Sequence, residues 1–207
     1  MDRNFKATDL TSIAPTRRGA QSFYEIGIQI RKSVGSEDTR QFITDILSDY
    51  VNATAALQSS LDRGEVMDID EYINTRKLTA GVYPQMALIP YAYRIDLPGW
   101  FLAHSLVKDV MEQIVIIVSF VNDIVSAHRE IKRGHVDNII PLLIHHRGLS
   151  AQEAVNHAVQ MVKEAYLTFQ ALEPLVVRLG MNAGIAKEVQ RFLGGCKDLA
   201  IGTTKWS

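Results

Sequence analysis

Ile114-Val115-Ile116-Ile117-Val118-Ser119-Phe120-Val121-Asn122-Asp123-Ile124-Val125-Ser126-Ala127-His128-Arg129-Glu130 contains the most apolar stretch of the chain and, within a turn of it, a set of regularly spaced polar groups. From Ile114 to Val121 only Ser119 is polar, so a helix here has almost no polar face and belongs at the centre of a fold. Asp96 as cap and Pro98 in the first turn supply a start signal, which predicts one helix from Leu97 to about Ile131. Upstream, Phe42, Ile46, Leu47, Tyr50, Val51, Ala55 and Leu57 recur close to i, i+3, i+4, i+7 and predict a helix over Thr39 to Ser60. Asp62, Arg63 and Gly64 end it. Ile69 to Ala80 reads as a further helix that meets a break at Gly81 and Pro84, with Gln85 to Tyr93 continuing beyond. Downstream come a short helix over Asn138 to His146 and a capping box, Ser150 with Glu153, opening a helix to about Glu173. A last helix follows Gly180 and uses Ile185, Val189, Phe192 and Leu193. No Asn-Gly or Asp-Gly pair occurs and no period-2 alternation is sustained, so strand signals are lacking. The expectation is an all-α fold: an irregular lead-in over residues 1–20, then one domain over residues 21–207.

The 207 residues carry 22 Lys and Arg against 23 Asp and Glu, a net charge of −1, with 47% hydrophobic residues. That is enough material for one large domain with a buried core. Near-neutral charge argues against a broadly basic nucleic-acid surface. The single cysteine, Cys196, excludes a disulfide scaffold and a Cys-rich zinc site. The aliphatic run Ile114 to Val118 is too short to cross a bilayer, and the polar start Met1 to Phe5 shows no secretory h-region. A soluble, cytoplasmic protein is the expectation.

Asn122, Ser126 and Glu130 stand at i, i+4 and i+8, offset by only about 40° each around a helix, so they line one face. An amide oxygen, a hydroxyl and a carboxylate are hard donors that suit Mg²⁺ far better than Zn²⁺. One carboxylate leaves such an ion under-neutralised, which calls for an anionic ligand such as a phosphate. The plainer alternative is a polar cap where a buried helix reaches solvent. A second feature is Glu71-Tyr72-Ile73-Asn74-Thr75-Arg76, followed by Thr79, Ala80, Gly81 and Pro84. An arginine just before a helix break can turn its planar fork to a phosphate while the break leaves backbone groups unpaired. An exposed arginine on an amphipathic helix is the alternative there.

Together these two features resemble the class I terpene synthases, in particular the fungal and bacterial sesquiterpene cyclases. The family's second metal motif reads N-D-x-x-S-x-x-x-E with a basic residue before the Glu, and Asn122, Asp123, Ser126, Arg129 and Glu130 match it throughout. Its diphosphate-sensing arginine lies 46 residues before that Asn, the position of Arg76, and Thr79 and Ala80 then fall at the effector positions beside the break. Gly134 to Ile140 is similar to a G-x-x-x-N-hydrophobic stretch, and Gly202 to Ser207 to a terminal G-N-x-x-W-S segment. The resemblance implies an isoprenoid synthase helical bundle. It also implies ionisation of a prenyl diphosphate, farnesyl diphosphate above all, assisted by Mg²⁺ at Asn122, Ser126 and Glu130, with Arg76 and Arg129 on the diphosphate. The family's first metal motif, an Asp-rich D-D-x-x-D/E, is missing: no two aspartates are adjacent anywhere in the sequence. The Arg-Tyr pair that follows the W-S segment is missing too. The chain therefore resembles the C-terminal two-thirds of a cyclase, clipped at both ends, and a catalytically impaired helical remnant stands as the alternative to an active cyclase. A prenyl-chain elongating enzyme is a weaker rival, because it calls for Asp-rich motifs on both sides of the cavity.

Of the remaining residues, Cys196 reads as helix-face packing. His145 and His146 are adjacent and point to different faces of a helix, so they do not share a metal. Tyr83 and Phe120 are the aromatic candidates, by location, for contact with a carbocation.

Overall fold

The computed structural model describes residues 18–63, 66–134 and 136–206, and every regular element among them is a helix. In chain order these are α1 (Arg18–Ser33), α2 (Glu37–Asp62), α3 (Ile69–Thr79), α4 (Val82–Ala87), α5 (Ile89–Tyr93), α6 (Gly99–Leu102), α7 (Ser105–Lys132), α8 (Ile139–Arg147), α9 (Ala151–Asn182) and α10 (Ala186–Trp206). Most of the lead-in, residues 1–17, lies outside the described residues, as do Gly64, His135 and Ser207; residues 18–20 already belong to α1.

Several boundaries are set by side chains that accept the orphan N–H groups of a first turn. Ser36 caps α2 through Thr39 N, Asp68 caps α3 through Glu71 N at 2.8 Å, and Asn138 caps α8 through Ile140 N at 2.9 Å. At α9 the capping box is complete: Ser150 Oγ accepts from Glu153 N, and Glu153 Oε2 accepts from Ser150 N at 2.8 Å. The break after α3 runs through Gly81, whose φ of +75° is open to glycine at no steric cost.

Three expected helices are corrected. The helix predicted from Leu97 is two helices, with a break at Ala103 and His104. His104 is extended (φ −67°, ψ 138°), and its Nδ1 accepts from Leu106 N at 3.2 Å, so a local side chain starts α7 afresh. Asp96 is no cap; it accepts from Thr39 Oγ1 at 3.5 Å, while Asp38 of α2 takes the Gly99 N–H at 2.8 Å. The helix expected to stop near Glu173 runs through Pro174 to Asn182. Phe169 on one side of the proline and Val176 and Gly180 on the other are all buried, and that packing outweighs the proline's local cost. The continuation over Gln85 to Tyr93 is divided at Leu88 into α4 and α5.

The central helix is α7, packed against α3, α4, α6, α8, α9 and α10. Its N-terminal half, through Val107, Val110, Met111, Ile114, Val115 and Val118, joins Met86, Phe101, Phe169, Val189 and Phe192 in the largest core cluster. Its C-terminal half enters a second cluster, where Phe120 and Ala127 meet Tyr72 of α3, Ile139 to Leu143 of α8, and Ala154 and Ala158 of α9. By length and composition this 28-residue helix reaches what a membrane span needs, contrary to the reading from its aliphatic run alone. More than half of the relevant window is buried inside the fold. Core burial accounts for the composition.

Candidate functional site

The second cluster ends in polar groups. Tyr72 and Arg76 stand one turn apart on α3, hence on one side of it, and meet α7 at Asp123. Tyr72 Oη donates to Asp123 Oδ2 at 2.6 Å, and Arg76 Nε donates to Asp123 Oδ1 at 3.0 Å. The guanidinium goes on to Asn122, its Nη2 donating to Oδ1 at 2.8 Å. Asn138, at the start of α8, closes the set from below. Its Nδ2 lies 2.9 Å from Glu130 Oε2, 2.9 Å from the Asp123 carbonyl oxygen and 3.5 Å from Ser126 Oγ. Ile139 N adds a donor to Asp123 Oδ2 at 3.3 Å.

The charges in this cluster depend on burial. Asp123 and Tyr72 are almost fully buried, at 1% and 2% exposure. Burial pushes the Asp123 carboxyl up, while Arg76, the Tyr72 hydroxyl and Ile139 N–H pull the other way. Burial, with Asp123 beside it, drives the Tyr72 hydroxyl far above the ordinary phenol range, so it stays a donor. Burial pulls on Arg76 as well, but the neighbouring carboxylate outweighs it and holds the guanidinium above its ordinary value. Arg76 is thus a fixed cation, anchored by Asp123 and pointed at Asn122.

The structure gathers Arg76, Asn122, Ser126 and Glu130 into one connected network, through direct contact at Asn122 and through Asn138 at the other two. Ser126 is buried; Asn122 and Glu130 are half-buried and open to small ligands. Arg129 sits two turns beyond Asn122 on nearly the same line of the helix and is exposed. Thr79 gives its hydroxyl to the Thr75 carbonyl at 3.0 Å, and Ala80 ends α3 with its N–H on the Arg76 carbonyl. The donor set suits a hard divalent cation: three side-chain oxygens on one face, one of them anionic, with no sulfur or imidazole among them. Among the described residues no group of three His, Cys, Asp or Glu side chains offers another metal site.

A cavity of about 500 Å³ lies farther along α7, between α2, the helix break and α6. Phe42, Ile46, Leu78, Tyr83, Leu102 and Met111 give it an apolar lining, and Asp38, Asp45 and Asp49 lie along its α2 side. Arg76, Asn122, Ser126 and Glu130 are not among its lining residues, although Leu78 and Tyr83 flank the break just after Arg76. Of the two aromatic candidates, Tyr83 lines the cavity and Phe120 is buried in the core at 1% exposure.

Residues 3–167 match the family model "Terpene synthase family 2, C-terminal metal binding". The chain belongs to the terpene synthases. Its curated relatives include sesquiterpene synthase 3 of Postia placenta, 29% identical over 178 residues, which cover 85% of this chain and 47% of the relative. Sesquiterpene synthase Agr1 of Cyclocybe aegerita is 30% identical over 72% of this chain and 43% of its own length. This terpene synthase chain spans about half the length of the curated relatives it matches. The linalool/nerolidol synthase structure from Streptomyces clavuligerus superposes with a TM-score of 0.88 at 21% identity, over 99% of this chain and 70% of that one. The all-α fold is therefore that of the class I terpene synthases, and the family is a metal-binding one.

Three members of the polar network, Tyr72, Asp123 and Asn138, received no site role from the sequence, although Asp123 stands in the matched motif. Tyr72 carries a usable signal, since it precedes Arg76 by four residues and so shares its helix face. Asn138 shows as a helix start and as the Asn of the stretch over Gly134 to Ile140, but its link to Glu130 depends on how α8 folds back against α7.

Proposed function

We propose that this chain carries the metal and diphosphate half of a sesquiterpene cyclase centre, with farnesyl diphosphate as substrate and Mg²⁺ as the ion. Asn122, Ser126 and Glu130 would hold one Mg²⁺, and Arg76 and Arg129 would face the diphosphate. The observation that supports this best is Arg76: a half-buried, permanently charged fork reaching across from α3 to within 2.8 Å of the first triad oxygen. Bound there, the ion would offset negative charge on the diphosphate as the allylic C–O bond breaks and its electron pair leaves with the phosphate oxygen. Arg76 would share that task, with Asp123 fixing its plane. Arg76 also adjoins the helix break, since its backbone carbonyl accepts the Ala80 N–H that ends α3. The largely apolar cavity beyond the break, with Tyr83 on its wall, suits a prenyl chain.

A reduced activity is favoured by one observation: with no adjacent aspartates in the sequence, Glu130 is the only carboxylate among the proposed ligands. The chain of 207 residues should then turn farnesyl diphosphate over slowly or not at all. The test is incubation of purified chain with farnesyl diphosphate and Mg²⁺, measuring hydrocarbon products beside a Glu130→Ala control. Little product from either protein is expected. Robust cyclic product from the wild type, abolished in the control, would show that this half-centre suffices.

A further inference from the structure

We infer that Asn138 is a positioning residue for the metal centre, holding the Glu130 carboxylate in ligating orientation from outside the coordination shell. The inference rests on reading the triad as a divalent-cation site. Asn138 is completely buried, and both ends of its amide are committed. Oδ1 takes the Ile140 N–H at the start of α8; Nδ2 faces Glu130 Oε2 and the Asp123 carbonyl oxygen, both at 2.9 Å. That orientation is fixed by its neighbours. A flipped amide would set its oxygen against two other oxygens and its NH₂ against an N–H. The NH₂ has two hydrogens, and the two short contacts use them, leaving Ser126 Oγ at 3.5 Å as a marginal third partner.

Glu130 needs such a partner. It lies in the last turn of α7, which ends at Lys132, where helices fray and a long carboxylate side chain turns to water. An N–H donor cannot ligate a cation, so Asn138 is not a ligand. By occupying Oε2 it leaves Oε1 of Glu130 for the ion and holds the side chain on the triad's face. Outer-shell partners of this kind typically change metal affinity 10- to 100-fold.

The test uses the whole chain with Mn²⁺ and inorganic diphosphate, following Mn²⁺ binding by electron paramagnetic resonance. Asn138→Ser keeps a helix-capping oxygen but cannot reach Glu130. It should weaken Mn²⁺ binding at least 10-fold while helix content is unchanged. In a Glu130→Asp background, where the shorter carboxylate no longer meets the amide, Asn138→Ser should cost less than 3-fold further. Wild-type affinity in Asn138→Ser would overturn the inference alone, and so would an equal loss in both backgrounds, which marks a merely structural role. A wild-type chain that binds no Mn²⁺ with diphosphate present would overturn the metal reading and this inference with it. A readout that needs no variant is the Asn138 side-chain amide resonance in wild-type protein. On adding Mg²⁺ and diphosphate its protons should remain protected from exchange; loss of protection would mean that the amide competes with the ion, the opposite of positioning.

Discussion

Tyr72→Phe deletes one oxygen and keeps the ring in its place. What it removes is the 2.6 Å hydrogen bond to Asp123 Oδ2, between two side chains that water barely reaches. The same hydroxyl also lies 3.4 Å from the Asp137 carbonyl, but with one hydrogen to give it serves the shorter, charged partner. Without it Oδ2 keeps only the Ile139 N–H at 3.3 Å, while Oδ1 keeps Arg76. A hydrogen bond to a charged group is worth roughly 1.5–3 kcal/mol, and a buried acceptor left short of donors loses most of that. Tyr72→Phe should therefore destabilise the fold by about 2 kcal/mol. For a chain of this length that is a fall in Tm of roughly 4–8 °C. Urea unfolding followed by circular dichroism should show the midpoint lowered with the slope m unchanged, since the exposed surface is the same. Tyr91→Phe, on the surface, is the control and should stay within about 0.5 kcal/mol of wild type. If Tyr72→Phe behaves like Tyr91→Phe, the Tyr72–Asp123 pair does not organise the site and the account of Arg76's anchoring is wrong.

Two helical glycines should respond in opposite directions to alanine. At Gly180 a Cβ would meet Val189 Cγ2 at 2.6 Å, so overpacking between α9 and α10 should exceed the gain of about 1 kcal/mol in helix propensity and lower Tm. At Gly194 nothing lies within 4 Å, and the same substitution should raise Tm; equal shifts at both positions would show that the α9–α10 approach is looser than described. Cys196 is completely buried and its thiol is pushed up to about 12 by burial, so a thiol reagent at pH 8 should react with it only on unfolding. Full labelling of the folded chain within seconds would contradict this. Gly81→Ala should destabilise through its left-handed backbone rather than through contact, since the nearest atom to an added Cβ, Tyr50 Cε2, is 3.9 Å away. A Tm equal to wild type would refute the sharp turn there.

What the sequence discloses here is mostly what local physics controls. The apolar run Ile114 to Val121 announces the central helix, and the caps at Asn138 and Ser150 announce the starts of α8 and α9, because an N-cap involves residues only two or three apart. The spacing of Asn122, Ser126 and Glu130 announces a shared face for the same reason. The break at His104 was hidden because a histidine cap is an uncommon start signal, while Asp96 and Pro98 offered a commoner one. The helix expected to reach only about Glu173 runs on because burial of Phe169 and Val176 on either side of Pro174 carries it through the proline. The roles of Tyr72 and Asn138 depend on the approach of α3 and α8 to α7, and no periodicity encodes that distance. The convergence of Arg76 on Asn122 was legible only through family resemblance.

The account stands most directly on whether Asn122, Ser126, Glu130 and Arg76 together recognise a metal–diphosphate pair. Isothermal titration of inorganic diphosphate into the wild-type chain, with and without Mg²⁺, measures this without requiring turnover. One saturable site that appears only with Mg²⁺, disappears in Glu130→Ala and weakens at least 10-fold in Arg76→Lys is the predicted result. Binding that is the same without Mg²⁺, or that survives Glu130→Ala unchanged, would contradict it.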